Sequence, residues 1–107
     1  MIGFAQNVLT YTAGYDQNAF EQNKLNFDAT VRNLELIGEA ATHIPLHVRE
    51  FAPQIPWRLI VAMRNRLIHG YLGIDSDTLW SIVSDNTPSL LADLLTLKKA
   101  ADADQIR

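Results

Sequence analysis

The chain contains no cysteine, and this one absence removes disulfides, thiol nucleophiles and thiolate zinc sites together. It lacks any apolar run of eighteen or more residues, and its N-terminus lacks the charged, apolar and small-residue segments of a signal peptide. Neither membrane spanning nor secretion is therefore expected, and the cytoplasm is the expected compartment. A surplus of base is missing too: nine Lys and Arg stand against twelve Asp and Glu, and the pI is near 5.4. That balance excludes a protein that coats nucleic acid through general basicity. Strand alternation, repeats, low-complexity tracts, a glycine-rich phosphate loop and a serine nucleophile motif are all absent. The most telling gap is local. Residues 51–74 contain no acid, although they hold Arg58, Arg64, Arg66 and His69, whereas the remainder carries all twelve acids against six bases. A chain of net charge -3 thus has one window of +3, which suits an anionic ligand, phosphate first.

What is present reads as helix. The 107 residues are expected to form a single domain over 1–107, with the end beyond Ala100 frayed, and 48% apolar and 20% charged residues are ordinary for a globular protein. Ile2, Ala5, Val8, Leu9 and Thr12 recur at three and four, predicting a first helix that ends near Gly14. Asp16 caps a short helix to about Gln22. The longest pattern runs over 23–43, with Phe27, Val31, Leu34, Ile37, Gly38 and Ala41 on one stripe and Pro45 as its stop. Gly38 inside it costs roughly 1 kcal/mol relative to Ala, which points to a close helix contact. One further turn is expected over 45–51, then a helix over 56–68 with Pro56 in its first position. A last helix is expected from about Thr78, kinked or broken at Pro88 and ending near Lys98 and Lys99. The fold class is all-α, an up-down bundle of four to five helices.

At 100 degrees per residue Trp57, Ile60, Val61, Leu67 and Ile68 share one face, and Arg64 falls in its middle. Arg64 and His69 lie five residues apart, about 140 degrees around a straight helix, so they share a face only if the helix ends or distorts between them. Gly70 makes an ending there reasonable, and Asn65, four before His69, is within reach of its ring. A two-fold dimer through this helix would instead bring Arg64, His69 and Tyr71 of both chains to one cleft. The set suits metal-free cleavage of RNA: histidine moves protons near neutral pH, arginine holds phosphate, and tyrosine grips a phosphate oxygen or stacks a base. Physics alone favours a purely structural reading, with Arg64 reaching Glu35 or Glu39, His69 capping carbonyls and Tyr71 in the core.

Arg-x4-His-x-Tyr at Arg64, His69 and Tyr71 stands with Arg32-Asn33-Leu34-Glu35-Leu36-Ile37-Gly38-Glu39-Ala40 and Ile55-Pro56-Trp57 upstream and Asp77-Thr78-Leu79-Trp80 downstream. Together these motifs resemble the HepT-like branch of the HEPN superfamily, in order and spacing over nearly the whole chain. The resemblance implies a HEPN-type bundle and a metal-independent endoribonuclease, the toxin of a type VII-like toxin-antitoxin pair, with active sites at a homodimer interface and no cofactor. It implies Arg64 and His69 as the catalytic pair, Asn65 as a supporting residue, and Tyr71 as the residue to which a minimal nucleotidyltransferase (MNT) antitoxin adds AMP; Glu39 stands outside that carry-over, as a supporting residue able to orient Arg64 or His69. RNA, tRNA or mRNA, would be the substrate. Added phosphate and base inside the cationic cleft would compete with RNA for Arg64 and His69. The rival is a non-catalytic HEPN subunit of a nucleotidyltransferase complex that binds a nucleotide or the partner. Two departures stand out. The first helix starts at Met1, short for the family, which points to a missing leading segment or another start site, and Gly70 stands where the family often has a polar residue.

Other candidates carry less. Glu35, Glu39 and His43 are spaced by four, formally a metal-ligand ladder, but a solvated or dimer-facing helix side is the better reading because no second cluster completes a coordination sphere, and no metal is expected. His43 and His47 are separated by Pro45, which prevents a regular helix between them. Trp57 and Trp80 read as core or interface anchors.

Overall fold

Helix formation follows the apolar periodicity closely. The computed structural model describes residues 1–68 and 75–106, and all regular structure among them is helical. The elements are α1 (Ile2–Thr12), α2 (Gln17–Gln22), α3 (Lys24–Thr42), α4 (Leu46–Phe51), α5 (Trp57–Ile68), α6 (Ser76–Ser81), a π-helical segment (Ile82–Asn86) and α7 (Thr87–Asp102). Because α6, the π segment and α7 follow without a break, the described chain amounts to four long rods and two short helices. The expected all-α bundle is what forms, and none of its described helices is long and apolar enough to cross a membrane.

The ends of the helices are set by side chains the sequence offers for that purpose. Asp16 accepts the Ala19 amide at 2.8 Å, Asn23 the Asn26 amide at 3.1 Å and Asp75 the Thr78 amide at 2.7 Å. Gly14 follows the cap of α1 at φ +78, the left-handed conformation that a residue without Cβ takes cheaply. The C-terminal carbonyls of α3 meet a cation instead: Arg49 donates to Ala41 O at 3.1 Å, Thr42 O at 3.3 Å and Ile44 O at 3.0 Å. That clamp fixes α4 against the end of α3.

Four boundaries differ from expectation. Pro56 precedes α5 rather than opening it, and its carbonyl accepts the Ile60 amide at 3.0 Å. The last helical stretch begins at Ser76, since the Asp75 cap outranks the apolar pattern that starts at Leu79. It continues to Asp102, where Lys98 reaches forward to the Asp102 carboxylate at 2.7 Å. Pro88 neither breaks nor ends it. A proline cannot donate to the carbonyl four residues back, and the π turn absorbs this by wider spacing, with the Thr87 amide and hydroxyl both directed to Ile82 O, the hydroxyl at 2.8 Å.

Packing centres on α3, which lies between α1 and α5 while α7 closes on α1. One core cluster gathers Ala5, Val8, Val31, Leu34, Ile37, Leu67, Leu79 and Val83; a second, toward the other end, gathers Ala41, Ala52, Ile55, Trp57 and Leu94. Trp57 donates its indole N–H to Ala52 O at 3.1 Å, and Trp80 packs on buried Phe20 with ring centroids 5.4 Å apart, so both tryptophans are anchors as expected. Asn7 donates to Asn33 Oδ1 at 3.1 Å, and this polar pair pins α1 to α3 between apolar layers.

Candidate active site

Arg64 owes its place to a glycine. On the α3 side of the contact with α5, a Cβ built on Gly38 would overlap Arg64 Cβ and come within 2.8 Å of its Cγ and 3.1 Å of Ile60 O. Only a residue without a side chain lets the two backbones approach this closely. The close contact expected of Gly38 therefore exists, and its counterpart is the motif arginine itself.

Seated there, the Arg64 side chain is about a quarter exposed, at 27%. Its guanidinium is held on two arms: Nη2 donates to Glu39 Oε2, one residue beyond Gly38, and Nη1 donates to Asn65 Oδ1 at 2.9 Å. Nε is buried and has no hydrogen-bond partner among the described residues. Of the two acids the sequence offered to Arg64, Glu39 is the one engaged; Glu35 pairs with Arg32 at 3.2 Å. The other oxygen of Glu39, Oε1, lies 3.6 Å from His43 Nε2. The ladder of Glu35, Glu39 and His43 is thus divided among separate partners, and no group of three or more His, Asp or Glu among the described residues is placed to hold a metal ion.

Two of the five named site residues, Glu39 and Asn65, meet at Arg64. His69 and Tyr71 lie outside the described residues, as do Gly70 and the helix ending expected there. Asn65 does something that spacing did not suggest: its Oδ1 accepts from its neighbour Arg64, while the expected approach to the His69 ring lies outside the described residues. No periodicity argument reports such a pairing between adjacent residues. Arg49 was also missed, and its only sequence signal is a cation a few residues past a helix C-terminus.

Where the described chain resumes, Asp75 sets the start of α6. Its carboxylate accepts from the Thr78 amide and, at 2.9 Å, from the Thr78 hydroxyl, and these bonds hold its pKa below the ordinary value. Asp77 then accepts from Gln17 at 2.6 Å, tying the first turn of α6 to α2.

Known proteins offer clear sequence matches to the chain. The family model described as "Ribonuclease HepT-like" matches residues 1–97. A protein of Methanocaldococcus jannaschii named as a candidate RNase is 43% identical over 86 residues, covering 80% of this chain and 79% of that protein. A Thermococcus cleftensis protein named as a probable ribonuclease HepT is 44% identical over 71 residues, covering 66% of this chain and 64% of its own length. A second M. jannaschii protein, also named as a candidate RNase, is 34% identical over 90 residues, covering 84% and 78%. No solved structure matches the chain significantly. With a match from the first residue to within ten of the last, the chain belongs to the HepT-like ribonuclease family.

Proposed function

We propose that this protein is a metal-independent endoribonuclease in which Arg64 and His69 act on a phosphodiester of RNA. The observation that carries the reading is Arg64 itself: a cation seated on an apolar helix contact, held by a carboxylate and an amide, inside the longest acid-free stretch of an acidic chain. Partly exposed and ion-paired, that cation adds little to stability. For catalysis it is apt, because an arginine fixed before substrate arrives stabilises charge on phosphate oxygens without reorganising.

In the proposed reaction His69 takes the proton of the 2'-hydroxyl, or returns one to the leaving 5'-oxygen, as the 2'-oxygen attacks phosphorus. Arg64 bears the charge that develops on the non-bridging oxygens, with Glu39 and Asn65 supporting it. A two-fold dimer through α5 is proposed to complete the cleft. The protein is further proposed to serve as the toxin of a toxin-antitoxin pair whose MNT-type partner silences it by adding AMP to Tyr71.

His69→Ala should abolish RNA cleavage, with the helical circular dichroism signal unchanged, whereas full activity in that variant sinks the assignment. A chelator should leave cleavage intact; loss with EDTA that a divalent ion restores would overturn metal independence. A second reading is favoured by the net charge of -3: a non-catalytic subunit that binds a nucleotide or the nucleotidyltransferase and presents Tyr71 to it. Toxicity on expression alone, relieved by the partner, separates the two.

A further inference from the structure

The acid-free window holds a second arginine that the proposed chemistry leaves unused. Arg58 lies in the first turn of α5, is exposed, and makes no hydrogen bond or ion pair among the described residues. Every other arginine described is engaged: Arg32 pairs with Glu35, Arg49 clamps the end of α3, Arg64 is held by Glu39 and Asn65, and Arg66 has a partner as well. The helix does not account for Arg58 either. Its first turn is the positive end of the macrodipole, where a cation is disfavoured. Neither α5 nor residues 51–56 leading into it carry an acid to neutralise the charge.

Helix geometry ties this cation to the site. Seven residues separate Arg58 from Asn65, two turns less about 20 degrees, so the two lie on one flank of α5 about 10.5 Å apart along its axis. Both are exposed, as is Ala62 between them, so that flank is open to solvent. At its far end Asn65 Oδ1 accepts from Arg64 Nη1 at 2.9 Å, so the flank ends against the guanidinium assigned to the scissile phosphate. A stacked strand places a phosphate about every 3.4 Å along its axis and an extended strand spaces them wider, so Arg58 stands within about three nucleotides of Arg64.

We propose that Arg58 is a second phosphate contact for the RNA: it holds the strand a short step from the phosphate at Arg64 and sets the path of the substrate along the flank of α5. The inference rests on the ribonuclease reading of the site. A backbone contact of this kind positions without reading sequence, so its mark is affinity and salt dependence.

The test compares wild type, Arg58→Ala, Arg58→Lys and Arg64→Ala, each checked by circular dichroism. Anisotropy of a fluorescent 2'-O-methyl decaribonucleotide, which lacks the nucleophile, gives affinity over a range of salt, and steady-state cleavage of a decaribonucleotide and of a dinucleotide gives kcat and KM. Arg58→Ala should bind the decamer about five- to tenfold more weakly at low salt and flatten the slope of log affinity against log salt by about 0.7, as expected for one lost phosphate contact on a single strand. Its KM for the decaribonucleotide should rise by a similar factor, more than kcat falls. The penalty should shrink for the dinucleotide, which is too short to reach both arginines. Arg58→Lys, still a point charge for phosphate, should recover most of the affinity. Wild-type affinity and salt slope in Arg58→Ala overturn this contact and leave the ribonuclease reading standing; so does a penalty equal for both substrates, or one that Arg58→Lys fails to relieve. Wild-type cleavage by Arg64→Ala overturns the reading of the site, and the second contact with it.

Discussion

Two surfaces of this bundle invite comparison: the apolar groove where α1, α4 and α7 meet, and the charged contact between α3 and α5. The groove is a concavity of about 460 Å³, lined by Met1, Ile44, Val48, Trp57, Leu94 and Leu97. The groove's lining is mostly hydrocarbon, while the contact gathers a cation, a carboxylate and an amide around a helix crossing as close as a glycine allows. The difference teaches that concavity is a guide to ligands a protein must engulf. A polymer backbone that lies across a surface needs instead a charge held still at the right height. In this chain the groove is walled by core side chains, and the proposed chemistry lies at the crossing.

That contrast breaks most visibly at Trp57. Trp57→Ala should destabilise by about 3–5 kcal/mol, read by chemical denaturation, with cleavage per folded molecule preserved. Loss of specific activity in the folded fraction would show that the two regions are not separate. Arg64→Ala is the converse: about a hundredfold loss of cleavage, with a denaturation midpoint close to wild type. Gly38→Ala sits on the boundary and sharpens it. The added methyl must push α5 away, so a loss of about 1–3 kcal/mol should come together with reduced cleavage, because Arg64 moves with its helix. A stable but inactive Gly38→Ala would put the whole effect on aim.

The smallest effect is at Asp75, whose cap serves neither surface directly. Its pKa is lowered in the folded state, so the stability it gives is present above the unfolded value of 3.8 and disappears as pH falls through the lowered one. Asp75→Ala should therefore melt at a lower temperature than wild type near pH 6, and the gap should close toward pH 2.

Much of this arrangement was legible in the residues. The central helix, its stop before Pro45 and the close approach at Gly38 all follow from local rules that depend on a few neighbours. The interior position of Arg64 was also legible, because periodicity reports facing. What eluded the sequence were choices among equals. Glu35 and Glu39 lie one turn apart on the same side of α3, and which of them meets Arg64 depends on the helix crossing, which no single helix encodes. Pro88 signals disruption by rule, but whether a helix breaks or widens into a π turn is decided by what Thr87 finds to bond with. The roles of His69 and Tyr71 rest on the Arg-x4-His-x-Tyr spacing and the family, and the predicted ending at Gly70 lies outside the described residues.

The crossing at Gly38 also bears on how this protein fails. Since Arg64 is seated by the same contact that joins α3 to α5, on its proposed role a replacement that opens the crossing should spoil cleavage before the cores give way. A copy damaged there should then be inert while still folded, so that errors in synthesis would yield harmless molecules rather than unruly ones.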